Sequence, residues 1–240
     1  MTADFDQVRA LCFDVGGTVF DWYTGISVAV SEVAQRCDVS VNAGAFAVQW
    51  RELFFDTLAQ VRSGDLPRMN ADAIHRLTLD RVASSFPMLS LTDEDKSELT
   101  LAWHALPAWP DAAPAIDRLR ARYEVVVVTV LSYSLVLRAS KRNQISWDGI
   151  ISCEFLQHYK PDREAYLEGA QLLQLEPSQC MMVAAHQWDL QAARGAGMYT
   201  AFVPRPYERG ANATPDLSPL PGADISAIDF NDLANRLLGE

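Results

Sequence analysis

The run Glu124-Val-Val-Val-Val-Thr129 constrains this chain more than any other stretch of it. Four consecutive valines, β-branched and apolar, leave no wet face, so they belong to a strand buried on both sides. Strands of that kind sit in parallel sheets, and a parallel sheet needs a crossover, usually a helix, between its strands. The flanking sequence supplies them. Asp111–Tyr123 reads as a helix before the run, and residues 132–143 read as one after it. A strand at Gly149–Ser152, a helix at Arg163–Leu173, a strand at Cys180–Ala184, a helix at Asp189–Gly197 and a strand at Tyr199–Val203 continue the alternation. The proline-rich residues 204–223 read as a long surface loop, and Asp224–Leu238 as a last short strand and helix.

A second apolar run, Val8–Phe13, ends at Asp14 and is followed by Gly16-Gly17, the pattern of a buried strand and a turn. Residues 24–106 then lack a strand pattern and show helical spacing instead. Ile26, Val30, Val33 and Ala34 share one face, and Phe46, Trp50, Leu53, Phe54, Leu58 and Val61 another. Asn42 suits a helix start and Ser63-Gly64-Asp65 a stop. Ala71–Phe86 and Thr92–Leu106 give two further helices, the latter opened by Thr92 and three acids. The expected architecture is α/β. A Rossmann-like parallel-sheet core (1–20 and 108–240) is interrupted by an all-helical subdomain (21–107).

The 240 residues are 49% apolar, enough to build a real core in one or two domains. Twenty Lys and Arg against 31 Asp and Glu give a net charge of −11. Such a chain is a poor partner for nucleic acid or an anionic membrane, where binding depends on phosphate neutralisation. Cys12, Cys37, Cys153 and Cys180 show neither disulfide nor zinc spacing and read as buried free thiols. The N-terminus lacks the order of a secretory signal, and no apolar run is long enough to span a bilayer. The expected location is cytoplasmic.

In open parallel sheets, ligands bind beyond the carboxyl ends of the strands. The residues placed there are Asp14, Thr129, Lys160 and the segment Ala184–Asp189. The glycines after Asp14 let backbone N–H groups approach a ligand, and Thr18 can hold the carboxylate in one rotamer.

The order of these four elements resembles the haloacid dehalogenase (HAD) superfamily. FDVGGTVFDW resembles its first motif, VVVVT its second, Lys160-Pro161 its third and VAAHQWDLQAARGAGM its fourth. The resemblance spans essentially the whole chain and implies a helical cap inserted after the first motif. Phosphatase members carry a second Asp two positions after the nucleophile; this chain has Gly16 there, and its fourth motif offers one acid, Asp189. Mg²⁺ wants hard oxygen ligands in near-octahedral array, so the site is expected to hold no metal or other cofactor. The pattern is closer to the type II (L-2-haloacid) dehalogenases.

What that branch implies is carried over position by position. Asp14 resembles the nucleophile and Thr18 the hydroxyl beside it. Arg51 resembles the cap arginine facing the leaving halide, and Thr129 the hydroxyl after the second strand. Lys160 matches the lysine paired with the carboxylates, Tyr166 the site tyrosine and Asp189 the acid of the Trp-Asp pair. Gly16, Trp50, Phe54, Val130 and His186 are expected around the substrate. Two positions depart from the pattern: Val130 replaces an amide, and His186 stands where some members have Asn. Five of these residues have structural readings as competitors. Arg51 could snorkel, Asp189 could cap a helix, Tyr166 could pack in the core, and Trp50 and Phe54 could form the cap core. His186 stands between a catalytic and a structural reading.

The implied reaction hydrolyses a small 2-haloalkanoic acid to a 2-hydroxy acid. Asp14 displaces halide to form an ester, and water positioned by Asp189 and His186 cleaves it. The implied partners are the haloacid, the halide product and, as the resemblance permits, a second copy in a homodimer. Two rivals remain: a Mg²⁺-dependent phosphatase of the same fold, and a non-catalytic HAD-fold binding protein.

Overall fold

The computed structural model describes residues 5–214, 217–218 and 221–240. The first four residues, and 215, 216, 219 and 220 of the expected loop, lie outside the described residues. The expected strands form: β1 (Ala10–Phe13), β2 (Glu124–Thr129), β3 (Gly149–Ser152), β4 (Cys180–Ala184), β5 (Tyr199–Phe202) and β6 (Ile225–Ser226). They build one parallel sheet in the order β3-β2-β1-β4-β5-β6. Val125–Val128 of β2 are all buried, as a two-faced strand requires.

The helices are α1 (Trp22–Arg36), α2 (Ala43–Ser63), α3 (Ala71–Ser84), α4 (Asp93–Ala102), α5 (Ala112–Leu119), α6 (Tyr133–Arg142), α7 (Arg163–Leu172), α8 (Gln187–Gly195) and α9 (Phe230–Leu238). Helices α1–α4 lie between β1 and β2 in the chain and pack on one another. Their starts are chemically marked. Asp21, Asn42 and Asn70 each accept a backbone N–H at the first turn, and Thr92 with Asp95 forms a reciprocal capping box. Gly64 ends α2 in the left-handed region, at φ 84°.

The interior of this helical unit is aromatic. The His75 ring is stacked between Phe54 (4.5 Å) and Trp103 (3.9 Å). Burial, then the nearby Arg51 charge, holds its pKa well below the ordinary value, so it packs as a neutral ring. Trp50 belongs to the same core. Its Nε1 donates to the His75 carbonyl (3.1 Å) and to Thr78 Oγ1 (3.0 Å).

Two sheet features position the site. Strand β1 lies centrally, and the order reverses between β1 and β4, where α/β sheets open a crevice. The ladder also runs past the strand end, since the Asp14 N–H donates to the Val183 carbonyl (3.0 Å). Asp14 therefore leaves the sheet with its backbone fixed. Cys12, Cys153 and Cys180 are buried and Cys37 half-buried, all as free thiols. Among the described residues, no helix is long and apolar enough to cross a membrane.

Candidate active site

Asp14 is 6% exposed and meets three groups. Thr18 Oγ1 donates to Oδ2 (2.7 Å), Lys160 Nζ donates to Oδ1 (3.2 Å), and His186 Nδ1 lies 3.2 Å from Oδ2. The Thr18 hydroxyl is itself oriented, because it accepts the Ala185 N–H (3.0 Å) and so has only its proton to give Asp14. Burial alone would raise the Asp14 pKa. Lys160 and His186 outweigh it and hold the carboxyl well below its usual range.

Lys160, 1% exposed, follows β3 and precedes α7, and its bond to Pro161 is cis. Its ammonium donates to the Val128 carbonyl (3.0 Å) and lies 2.6 Å from Asp189 Oδ2. Asp189 sits in the first turn of α8 and is fully buried. Its other oxygen accepts the Tyr166 hydroxyl (2.5 Å). Burial raises the Asp189 pKa, opposed by Lys160. His186, not Asp189, occupies the cap position of α8. The Thr129 hydroxyl accepts the Leu131 N–H (3.1 Å), a bond inside its own loop, while Val130 is buried beside it.

Arg51 reaches the sheet from α2 and is 4% exposed. Nη2 donates to the Gly16 carbonyl (3.0 Å), while Nη1 is buried without a hydrogen-bond partner among the described residues. The guanidinium lies against the rings of Phe55 (4.6 Å), Trp22 (5.5 Å) and Phe54 (5.9 Å). Burial lowers its pKa, against the opposing charges of Glu208 and Asp14. Gly16 sits close under two side-chain ends, which a Cβ would press by a few tenths of an ångström. A Cβ there would stand 3.1 Å from Arg51 Nη2 and 3.2 Å from Leu131 Cδ1. The position that carries an acid in phosphatases is roofed here by a guanidinium.

One site residue carries no sequence signal. Glu208 lies in the loop expected to be pure surface, yet it turns inward. Its Oε1 accepts Trp22 Nε1 (2.9 Å), and His186 Nε2 lies 3.0 and 3.1 Å from its two oxygens. Burial opposes its ionisation, but His186 and Trp22 lower its pKa to about 2. The His186 pKa, depressed by burial, is driven up to about 10 by Glu208 and Asp14. Glu208 also explains Gly17, whose φ is +97° and where a Cβ would collide with Glu208 Oε1. Arg205 fixes the same loop by donating to the Thr18 carbonyl (2.8 Å) and pairing with Asp111 (2.9 Å).

Trp22, Arg51, Phe55, His186, Trp188, Glu208 and Arg209 line a cavity of about 150 Å³, which Asp14 adjoins through His186 without forming part of its wall. That is the liquid volume of roughly five waters, suited to a molecule of a few heavy atoms. Trp50 and Phe54 are absent from its wall; Phe55, the neighbour of Phe54, lines it instead. A larger cavity of about 740 Å³ beside α1 and α4 shares none of these residues.

A family model described as haloacid dehalogenase-like hydrolase matches residues 8–197. The chain belongs to this family. Its fold is that of a HAD hydrolase, and L-2-haloacid dehalogenases are among the solved structures it resembles. A crystal structure of a defluorinating L-2-haloacid dehalogenase superposes with a TM-score of 0.92, is 40% identical, and covers 96% of this chain and 95% of that one. A second L-2-haloacid dehalogenase structure, 31% identical, gives 0.92 with 97% and 100% covered. An (S)-2-haloacid dehalogenase of Pseudomonas sp. (strain CBS-3) is 28% identical over 83% of this chain and 86% of its own length.

Other HAD hydrolases use Mg²⁺, and this donor set does not fit it. Both oxygens of Asp14, Asp189 and Glu208 already meet protein partners, and the Lys160 ammonium stands between Asp14 and Asp189. A divalent cation there would displace Lys160 and face the cationic His186 and Arg51.

Proposed function

We propose that this HAD hydrolase cleaves the carbon–halogen bond of small L-2-haloalkanoic acids without a metal, through an ester on Asp14. The observation that carries the reading is the buried Arg51 guanidinium, its Nη1 without a hydrogen-bond partner among the described residues, roofing the turn that begins at an ionised Asp14. A buried cationic donor with a free proton calls for an anion, and halide is the anion this displacement creates. The L-2-haloacid dehalogenases reported above support the same reading.

The residues perform the first step as follows. Lys160 and Thr18 hold the Asp14 carboxylate ionised and aimed. Its oxygen attacks C2 in line with the halogen, inverting that carbon, and Arg51 stabilises the departing charge. Asp189, with both oxygens occupied, holds Lys160 and Tyr166 in place. Water then cleaves the ester and releases the 2-hydroxy acid. Residues 21–107 act as the cap, closing Phe55 and Arg51 over the cavity and keeping bulk water out. The cavity volume favours two- and three-carbon acids.

Halide release from chloro-, bromo- and fluoroacetate and the 2-halopropionates, measured with and without EDTA, tests this. Release that EDTA leaves unchanged is expected. No release from any acid, or activity lost with EDTA, would refute it.

A further inference from the structure

We propose that His186, oriented by Glu208, is the base that activates water against the Asp14 ester, with Glu208 as its positioning residue. The inference rests on the dehalogenase reading and assigns its second half-reaction. Three observations carry it. The His186 ring joins two carboxylates, with Nε2 on Glu208 (3.0 and 3.1 Å) and Nδ1 3.2 Å from the reacting carboxylate of Asp14. Glu208 is fixed from two further directions, by the Trp22 indole N–H and by the bare Gly17 backbone. Among the described residues the buried Nδ1 makes no aligned hydrogen bond, although it lies within ion-pair distance of Asp14, and the ring lines the cavity where water would stand. A base held by a carboxylate on its far nitrogen is the geometry by which enzymes select an imidazole tautomer.

The protons balance. In the resting enzyme His186 carries protons on both nitrogens, each facing a carboxylate. Alkylation removes the Asp14 charge, and the Nδ1 proton leaves to solvent, the one proton the overall hydrolysis releases. Glu208 retains the Nε2 proton, so the lone pair at Nδ1 points at the ester. Water attacks Cγ of Asp14 and gives a proton to Nδ1. The bond from Cγ to the substrate oxygen breaks, and Nδ1 returns that proton to the leaving alkoxide. The new Asp14 carboxylic acid then reprotonates Nδ1 and restores the ion pair. Asp189 is less suited to this task, since it is fully buried with both oxygens engaged.

Rapid-quench comparison of wild type, Glu208→Gln and His186→Asn with L-2-chloropropionate tests the assignment, reading halide release and the alkylated Asp14 peptide by mass spectrometry. Both variants are expected to release about one halide per site and then stall with the ester accumulated. Steady-state kcat should fall on the order of 10²–10⁴-fold. An equal loss in first-turnover and steady-state rates, or wild-type turnover without ester, would overturn the assignment. Should neither variant fold, ester decay in wild type decides it. Glu208, Arg51 and Arg209 surround His186 beside the esterified Asp14, and Glu208, with its pKa lowered to about 2, stays ionised above about pH 5. Decay should therefore rise with pH to a plateau, while ester formation stays flat; decay independent of pH contradicts the proposal. Absence of halide release by wild type would instead remove the dehalogenase reading itself.

Discussion

The Lys160 ammonium reaches Asp14, Asp189 and the Val128 carbonyl from one position, and His186 and Arg51 complete the positive side of the site. Two consequences follow at the scale of single residues. His186, raised to about 10, lies above its unfolded value of about 6.5. Its stabilisation is whole below about pH 6.5 and is lost as pH rises through 10. Glu208, lowered to about 2, contributes above about pH 4.3 and loses that contribution as pH falls through 2. The thermal midpoint should therefore peak between about pH 5 and 6.5, and its alkaline decline should be shallower in His186→Asn. Melting curves across pH check this; an unchanged alkaline slope in the variant contradicts it. Arg51→Lys keeps the charge but loses the planar donor pair, so kcat should fall on the order of 10²–10³-fold, measured as halide release. The strand-end residues were legible because a strand end is a place the sequence marks. Glu208 was not, since a proline-rich loop has no periodicity to say which side chain turns inward.

At the scale of elements, the helical unit is fastened to the sheet by polar contacts at its edges. Asp72, in the first turn of α3, is met by His104 Nε2 (2.9 Å) and accepts the hydroxyls of Ser132 (2.9 Å) and Ser134 (3.2 Å). Ser132 follows the Thr129-Val130-Leu131 turn, so this contact ties α3 to the loop beside Gly16. Arg68 does the same opposite, donating to the carbonyls of Cys153 (2.8 Å) and Gln157 (2.9 Å) and lying over Tyr159. Asp72→Ala should cost about 1–3 kcal/mol in denaturant unfolding and raise KM more than it lowers kcat. Unaltered KM and stability would show that α3 is held by packing alone. Most elements were legible from periodicity, but their ends were less so. The helix expected to reach Tyr123 stops at Leu119 because the chain must turn into β2, with the Tyr123 hydroxyl on the Leu237 carbonyl. The helix expected to reach Leu106 ends at Ala102 and tightens into a 3₁₀ turn at Trp103–Ala105. Trp50 and Phe54 lie on the apolar stripe the spacing identified, and that stripe faces the helical core; the residue beside it, Phe55, lines the cavity.

At the scale of the whole molecule, the charge of −11 and the charge of the site are separate quantities. Asp14, Asp189 and Glu208 are matched by Lys160, Arg51 and His186, so the buried site is near neutral inside an acidic protein. Esterification removes one negative charge and leaves Arg51 to the halide. Long-range attraction of an anionic substrate is not expected, so kcat/KM should change less than about threefold from low to high ionic strength. A steep loss with salt would mean that steering carries the affinity. The central claim is that Asp14, not water, attacks the substrate, and single turnover in H₂¹⁸O with enzyme in excess tests it most directly. The predicted result is ¹⁸O in the Asp14 side chain and an unlabelled 2-hydroxy acid; ¹⁸O in the product with none in Asp14 would contradict it.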